Sequence, residues 1–558
     1  MLAAGLLSTS CNDFLTEDPK GQLDPSTYFC SESSVNSAVY ALYSKVNATQ
    51  IYTNMLYPQW QGDDITANPG SNKQACAELD AFSASSNNKG IRDSWSANYK
   101  VIKAANNIVN NVKTDDGTYA ATAKNAIAQA KFWRAVSYYY LVRLYGPLPI
   151  VEVSELENAQ TPVSTVAEVY DYIVKDLTDA IEVLPTSYES APAHHDGIDA
   201  YVTKQAAQAT LTAVYMSMAG YPLNKGTEYY AKAAEVAKDV VDHNSEYGFY
   251  LDSDWSHVYS MGHNYNKETI LGIDYNPTVD WGSDSEFTSC DRFESLGDGG
   301  WGDAWGEIAF WKRFPEGARK DATYAPKITF QGKDADGKYV ITKTCNWYDL
   351  NEDGSKVVSE YHPMFCNFTV NCDANGNKLA QPYDYTQPNW TGMCNDHRHR
   401  LIRYSELLLW YAESLARSGG DLSTAKSLLR QVRQRACNDV ENVTLGDGTT
   451  VAIESMSAEQ LAEACYIEHG WEVAGYWVAM VTRRSDEFRM NELQKNFDFR
   501  VANAEQTIVD ATSGKVYKAK ESVSVTNSSW LGAESIYIPY PVLEVEKNPN
   551  LKDVDRTK

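Results

Sequence analysis

The chain has 558 residues, 43% apolar and 22% charged, an ordinary balance for a globular protein with a packed core. Its 74 acidic side chains outnumber 49 basic ones, and the formal charge of −25 repels phosphate backbones and anionic lipid. Nucleic acid and an electrostatic membrane contact are thus argued against as partners, and a neutral ligand is favoured.

The apolar start, Met1 to Leu7, meets Ser8-Thr9-Ser10-Cys11, small residues before a cysteine as at a lipoprotein cleavage site. Residues 1–10 are expected to be a remnant lipoprotein signal peptide, Cys11 the lipidated residue, and 11–33 a lipid-anchored tether. Acidic Asp13, Glu17 and Asp18 follow at once. No stretch approaches the roughly 20 apolar residues that span a bilayer. The nine other cysteines form no Cys-x-x-Cys, so neither zinc ribbon nor redox motif is present. Cys366 and Cys372 could close a short disulfide loop; buried thiols are the alternative.

Helices are predicted over Ser34–Val46, Ile91–Val112 and Thr118–Tyr145. In the third, Trp133, Val136, Tyr140 and Leu144 recur at helical spacing, and Gly146-Pro147 stops it. Val166–Leu184 is another amphipathic helix. Thr203–Ala219 pairs with Thr227–Asp242, and Arg403–Ser418 with Leu422–Ala436, each across a Gly-containing turn. Ser457–Val481 is the last long helical zone. Short turns and small alanines at the contacts suggest degenerate tetratricopeptide units, although periodicity alone supports only helical pairs.

From about 247 to 399 the character changes. Gly, Asp, Asn and Trp become frequent, with β-like runs at Thr269–Ile273, Tyr339–Thr344 and Phe365–Val370. This reads as an insertion of loops and hairpins between helical regions of about 34–246 and 400–500, with an irregular C-terminal region over 501–558. Loops on a rigid scaffold are where binding residues concentrate.

The richest such stretch holds Trp281, then Gly300-Trp301-Gly302-Asp303-Ala304-Trp305, then Trp311. Glycines turn the chain sharply and leave indole faces uncovered; such a face takes the C–H side of a sugar, while carboxylates take its hydroxyl rim. The competing reading is that these tryptophans pin a loop to the core. Trp60 with Asp63 and Asp64 forms a second candidate group, with a helix-flanking anchor as its alternative. Trp347 and Trp390 are weaker. With 37 Tyr and 14 Trp against 15 Phe, the chain can spare aromatics for a half-wet face.

Asp349, Asn351, Asp353 and Glu360 match the ligand positions of a calcium loop. No helices are expected to flank it, and Asp334–Gly337 and Asp373–Gly376 repeat the Asp-rich turn, so hairpin turns are the favoured reading and no cofactor is expected. Asp396-His397-Arg398-His399 is expected to open a helix, with no partner for a metal site. His-Glu-x-x-His, Gly-x-Ser-x-Gly and phosphate-loop signatures are missing, so no catalytic residues are assigned.

Four segments share a resemblance. Trp133-Arg134-Ala135 with Leu141-x4-Gly146-x2-Pro149, the start Cys11-Asn12-Asp13-Phe14-Leu15, the helix from Arg403-Tyr404 through Tyr411-Ala412-Glu413, and Ile538-Pro539-Tyr540-Pro541 with Asn548-Pro549 resemble the SusD/RagB family of outer-membrane lipoproteins. Glu468-His469 and Gly475-Tyr476-Trp477 stand where that family usually has Glu-Arg and Glu-Gly-x-Arg. The resemblance implies a mainly α, tetratricopeptide-like, SusD-like fold over 34–558. It also implies a cell-surface, non-enzymatic protein that captures oligo- or polysaccharide and hands it to a SusC-like TonB-dependent transporter. Trp60, Asp63, Asp64, Trp281, Trp301, Asp303, Trp305 and Trp311 would be its carbohydrate-binding residues. The rival classes are a surface-anchored glycoside hydrolase and a RagB-like peptide-binding protein.

Overall fold

The computed structural model describes residues 28–49, 57–67, 73–114, 117–152, 160–259, 263–275, 289–290, 304–337, 339–358, 361–367, 394–395, 397–521 and 536–556. Helices dominate. Lys89–Asn111, Ala120–Tyr145, Val166–Ile181, Lys204–Ala219 and Thr227–Asp242 each pack on the next in sequence. Thr227–Asp242 then packs on Tyr404–Ser418, which in turn contacts Leu422–Arg435 and Ala458–Val473. The helical stack thus runs past the insertion without a break.

Local chemistry sets the ends. Thr165 and Glu168 form a reciprocal capping box, and Ser457 and Gln460 form another, satisfying N–H groups the first helical turn leaves unpaired. Asn88 and Asp421 cap their helices by side chain. The Ala120–Tyr145 helix is buried on every face from Phe132 onward, so it is the axis of the core rather than an amphipathic surface helix. Gly146 ends it at φ 78°, and a Cβ there would lie 3.2 Å from the Tyr537 ring.

Within that core, Arg134 donates to both Asp176 oxygens at 2.7 and 2.8 Å and to Asn106 Oδ1 at 2.7 Å. A second charged cluster lies deeper: Glu472 accepts from Arg319, Arg403 and Arg435 at 2.8, 3.1 and 2.8 Å. Burial opposes its ionisation, but the guanidinium charges, Arg435 foremost, hold the carboxyl down at about 2.

The insertion is sewn to the scaffold at its base. Thr269–Ile273 pairs antiparallel with His399–Arg403 immediately before the Tyr404 helix. His399 therefore opens a strand, not the expected helix; it bonds Tyr275 at 3.1 Å, and burial keeps its imidazole neutral. Asp334–Gly337 turns a hairpin between Ile328–Lys333 and Tyr339–Cys345, as expected.

Two further expectations change. The Ser457–Val481 zone stops being helical at Val473, because Gly475 takes φ 65° hard against the Phe365 ring. The 501–558 region is not irregular throughout. Glu505–Val509 and Val516–Lys520 form a hairpin whose Ile508, Tyr517 and Ala519 complete a second core with Trp305, Trp347 and Tyr348 of the insertion. Cys372 lies outside the described residues, as do Phe365–Val370 beyond 367 and Cys11.

Candidate functional site

The two stretches singled out in sequence meet in space. A short turn, Tyr57–Gln61, leads through Asp63 and Asp64 into the strand Ile65–Ala67, which pairs antiparallel with Ala304–Gly306. Thr66 faces Trp305 and Ala67 faces Ala304 in this ribbon. Thr66 Oγ1 and the Ala67 amide donate to Asp80 at 2.8 and 3.1 Å, and Arg500 pairs with Asp80 at 2.6 Å. A three-residue pairing would be marginal alone; the buried carboxylate makes it rigid.

The candidate residues themselves lie mostly inside. Trp60 is fully buried, its ring 5.7 Å from that of Trp477. Asp63 and Asp64 are buried, and Trp305 is buried with its ring stacked 4.8 Å from His362. A side chain removed from solvent cannot present a face to a sugar, so Trp60, Asp64 and Trp305 are corrected from ligand residues to supports of the ribbon, and Asp63, held by Arg483, supports it while bordering a cleft. The anchor alternative holds for them. Trp311 is half-buried, edge-on to Trp347 at 5.3 Å with Lys320 Nζ 4.3 Å from its ring centre. Trp281, Trp301 and Asp303 lie outside the described residues. Asp303 immediately precedes Ala304, so that stretch is joined to the ribbon at the same end as residue 68.

Asp63 and Asp64, adjacent in sequence, are held in opposite states. Burial disfavours charge on both. For Asp63 the Arg483 guanidinium overrides it, with Nε on Oδ1 at 2.7 Å, and keeps the carboxyl well below its ordinary range. Burial and the Asp63 charge push Glu487 well up; its Oε1 accepts from the Asp63 amide at 3.1 Å. No guanidinium among the described residues bonds Asp64, and the charge of Arg483 only partly offsets its burial. Burial raises Asp64 to about 6, although Gly475 N–H donates to Oδ2 at 2.7 Å.

Beside this ribbon opens a cleft of about 1320 Å³ that includes Asp63, Phe310 and Arg313 in its lining. One wall is a stripe of the Ala458–Val473 helix at helical spacing: Glu459, Glu463, Tyr466, Gly470 and Trp471. The facing wall is Lys495, Asn496, Asp498, Phe499 and Ala502 of the Leu493–Ala502 helix. The hairpin Asn442–Thr444/Thr450–Ala452 forms the rim. Arg433 fixes this hairpin by donating to the carbonyls of Asp439 and Asn442 at 2.6 and 2.9 Å. Nothing in the sequence marks the cleft, since its walls are ordinary helix faces brought together by the fold.

In the calcium-like loop, Asp349 accepts from Asn346 N–H at 2.8 Å and Asp353 from Ser355 N–H at 2.9 Å, with Leu350 bridged to Lys356. These carboxylates serve the turn's own donors. Glu360 lies outside the described residues. Among the described residues no three His, Cys, Asp or Glu side chains are grouped to hold a metal, and no helix is long and apolar enough to cross a membrane.

Two family models match the chain, one described as starch-binding associating with outer membrane over residues 13–216, the other as the SusD family over 267–555. The second covers more than half the sequence. The chain belongs to the SusD family. A SusD-like protein of Bacteroides ovatus is 24% identical over 596 aligned positions, spanning 98% of this chain and 95% of that one. Among solved structures, a SusD homologue from Bacteroides thetaiotaomicron gives a TM-score of 0.73 at 18% identity, covering 95% of this chain and 98% of the other. A structure solved with a xylogluco-oligosaccharide gives 0.65 at 19%, covering 93% and 98%. The SusD-like helical fold expected from sequence is thus the fold of this family.

Proposed function

We propose that this SusD-family protein is a cell-surface glycan-binding lipoprotein that captures oligo- or polysaccharide for a SusC-like TonB-dependent transporter, without cleaving it. The observation that carries the reading is the match to SusD-family models over residues 13–216 and 267–555. A similar solved structure holds a xylogluco-oligosaccharide, which supports a carbohydrate ligand. The rigid ribbon offers a foundation for the segments bearing Trp301 and Asp303, which we retain as ligand residues together with Trp281. Half-buried Trp311 is a weaker one. Cys11 is the proposed anchor. Stacking on indole faces and hydrogen bonds to sugar hydroxyls would give weak individual contacts, strengthened by a multivalent polymer and neighbouring anchored copies.

The test is migration of protein lacking the segment through Cys11 in native gels containing a panel of polysaccharides. Retardation by one polymer, recovered uncut, is expected, and Trp301→Ala should reduce it at least several-fold at unchanged melting temperature. Shortened polymer would favour the hydrolase reading. Absence of retardation across a broad panel would favour a peptide ligand.

A further inference from the structure

Among the described residues, Asp63 is the one sequence candidate in the lining of the cleft beside the ribbon. We propose that this cleft is a second carbohydrate site, taking a neutral oligosaccharide several sugar units long. Its volume, about 1320 Å³, exceeds what a monosaccharide or a typical small cofactor needs. Its frame is already fixed. Tyr466 Oη donates to Glu492 at 2.9 Å across one end, and Gly446 N–H to Glu463 at 3.0 Å ties the hairpin to the long helix.

The charges select against anions. Every basic side chain in the lining already has a carboxylate: Arg483 with Asp63 at 2.7 Å, Arg417 with Glu413 at 2.7 Å, Lys495 with Glu492 at 2.8 Å, Arg433 with Glu468, and Arg313 with Asp63 at 3.5 Å. An acidic sugar or phosphate would meet neutralised guanidiniums and the further carboxylates Glu459, Glu463 and Asp498. The Arg313 guanidinium already lies 4.4 Å from the Phe499 ring centre, which closes that aromatic face to a cationic group. What remains on offer is suited to hydroxyls: half-buried Trp471, the paired hydroxyls of Thr444 and Thr450 at 3.0 Å, and the side-chain carbonyl of Asn442, whose amide nitrogen donates to Asp439. This inference rests on the glycan reading only for its choice of probes.

The experiment is calorimetric titration of the protein with cellohexaose, xylohexaose, mannohexaose and maltohexaose, and with tetragalacturonate and hexalysine as charged probes. At least one neutral hexasaccharide is expected to bind. Thr450→Trp, which fills the cleft from an exposed strand position, should weaken that binding at least tenfold, while Trp301→Ala leaves it unchanged. Thr444→Ala is the milder second variant, expected to weaken it a few-fold if Thr450→Trp fails to fold. Binding by no neutral hexasaccharide, binding indifferent to both cleft variants, or preference for tetragalacturonate or hexalysine would overturn the proposal. Gel retardation lost in Trp301→Ala beside intact cleft binding separates the two sites. Cleft binding without any gel retardation would sink the polymer-capture reading alone.

Discussion

Asp64 is the residue whose chemistry is most exposed to pH. Its folded pKa, about 6, lies above the ordinary 3.8, so the folded state holds the proton more tightly than the unfolded chain. Its contribution to stability is therefore complete below about pH 4 and is lost as pH rises through 6. Asp64→Asn keeps an acceptor for Gly475 N–H and removes the charge. The variant should match the wild type at pH 4 and exceed it at pH 7.5 by up to about 3 kcal/mol, read as melting temperature at the two pH values. An equal effect at both would contradict the origin in ionisation. Glu472 has the opposite sign: held at about 2, its contribution is present above pH 4.5 and disappears on acidification towards 2. The same residues show why buried carboxylates resemble ligand candidates in sequence. Asp63 and Asp64 follow a tryptophan, as sugar ligands can. Their burial depends on Arg483, 420 positions away, and on Gly475, which no local pattern reveals.

At the level of elements the reverse holds. Sequence places Thr227–Asp242 with its observed bounds, and Tyr404–Ser418 within one residue, because apolar periodicity and turn formers are local properties. Where a distant packing partner decides the geometry, local reading fails, as at Gly475 against Phe365. Helix-to-helix ties also join residues apart in sequence, 42 positions for Arg134 and Asp176, and carry measurable stability. Arg134 and Asp176 join the central helix to Val166–Ile181, both buried. Asp176→Ala would leave the guanidinium buried without a carboxylate, beside Asn106 and the Tyr172 ring, and should cost about 3 kcal/mol, seen as a lower denaturant midpoint. The double variant Arg134→Met/Asp176→Leu should recover most of the loss, since it is the unpaired charge that is costly.

For the whole molecule, the feature with the longest reach is the return of the C-terminal segment to the central helix. Ile538 N–H donates to the Leu144 carbonyl at 2.9 Å, and Tyr540 Oη to the Pro147 carbonyl at 2.6 Å. Arg556, with its guanidinium 4.7 Å from the Tyr540 ring centre, donates to the Tyr145 carbonyl at 2.9 Å. The Leu144 and Tyr145 carbonyls are among those that a helix end leaves unpaired, and Pro147 lies just past that end. Arg556→Ala should lower stability by about 1–2 kcal/mol and speed amide exchange selectively over residues 142–148. Uniform acceleration would show that the clasp is not local. The consequence is one of timing. The central helix emerges early in synthesis, yet its end is closed by residues made some 390 positions later. Native closure must wait for the last part of the chain, and pairing across so long a loop makes that step slow. A chain cut before residue 538 would leave the Leu144, Tyr145 and Pro147 carbonyls without these donors.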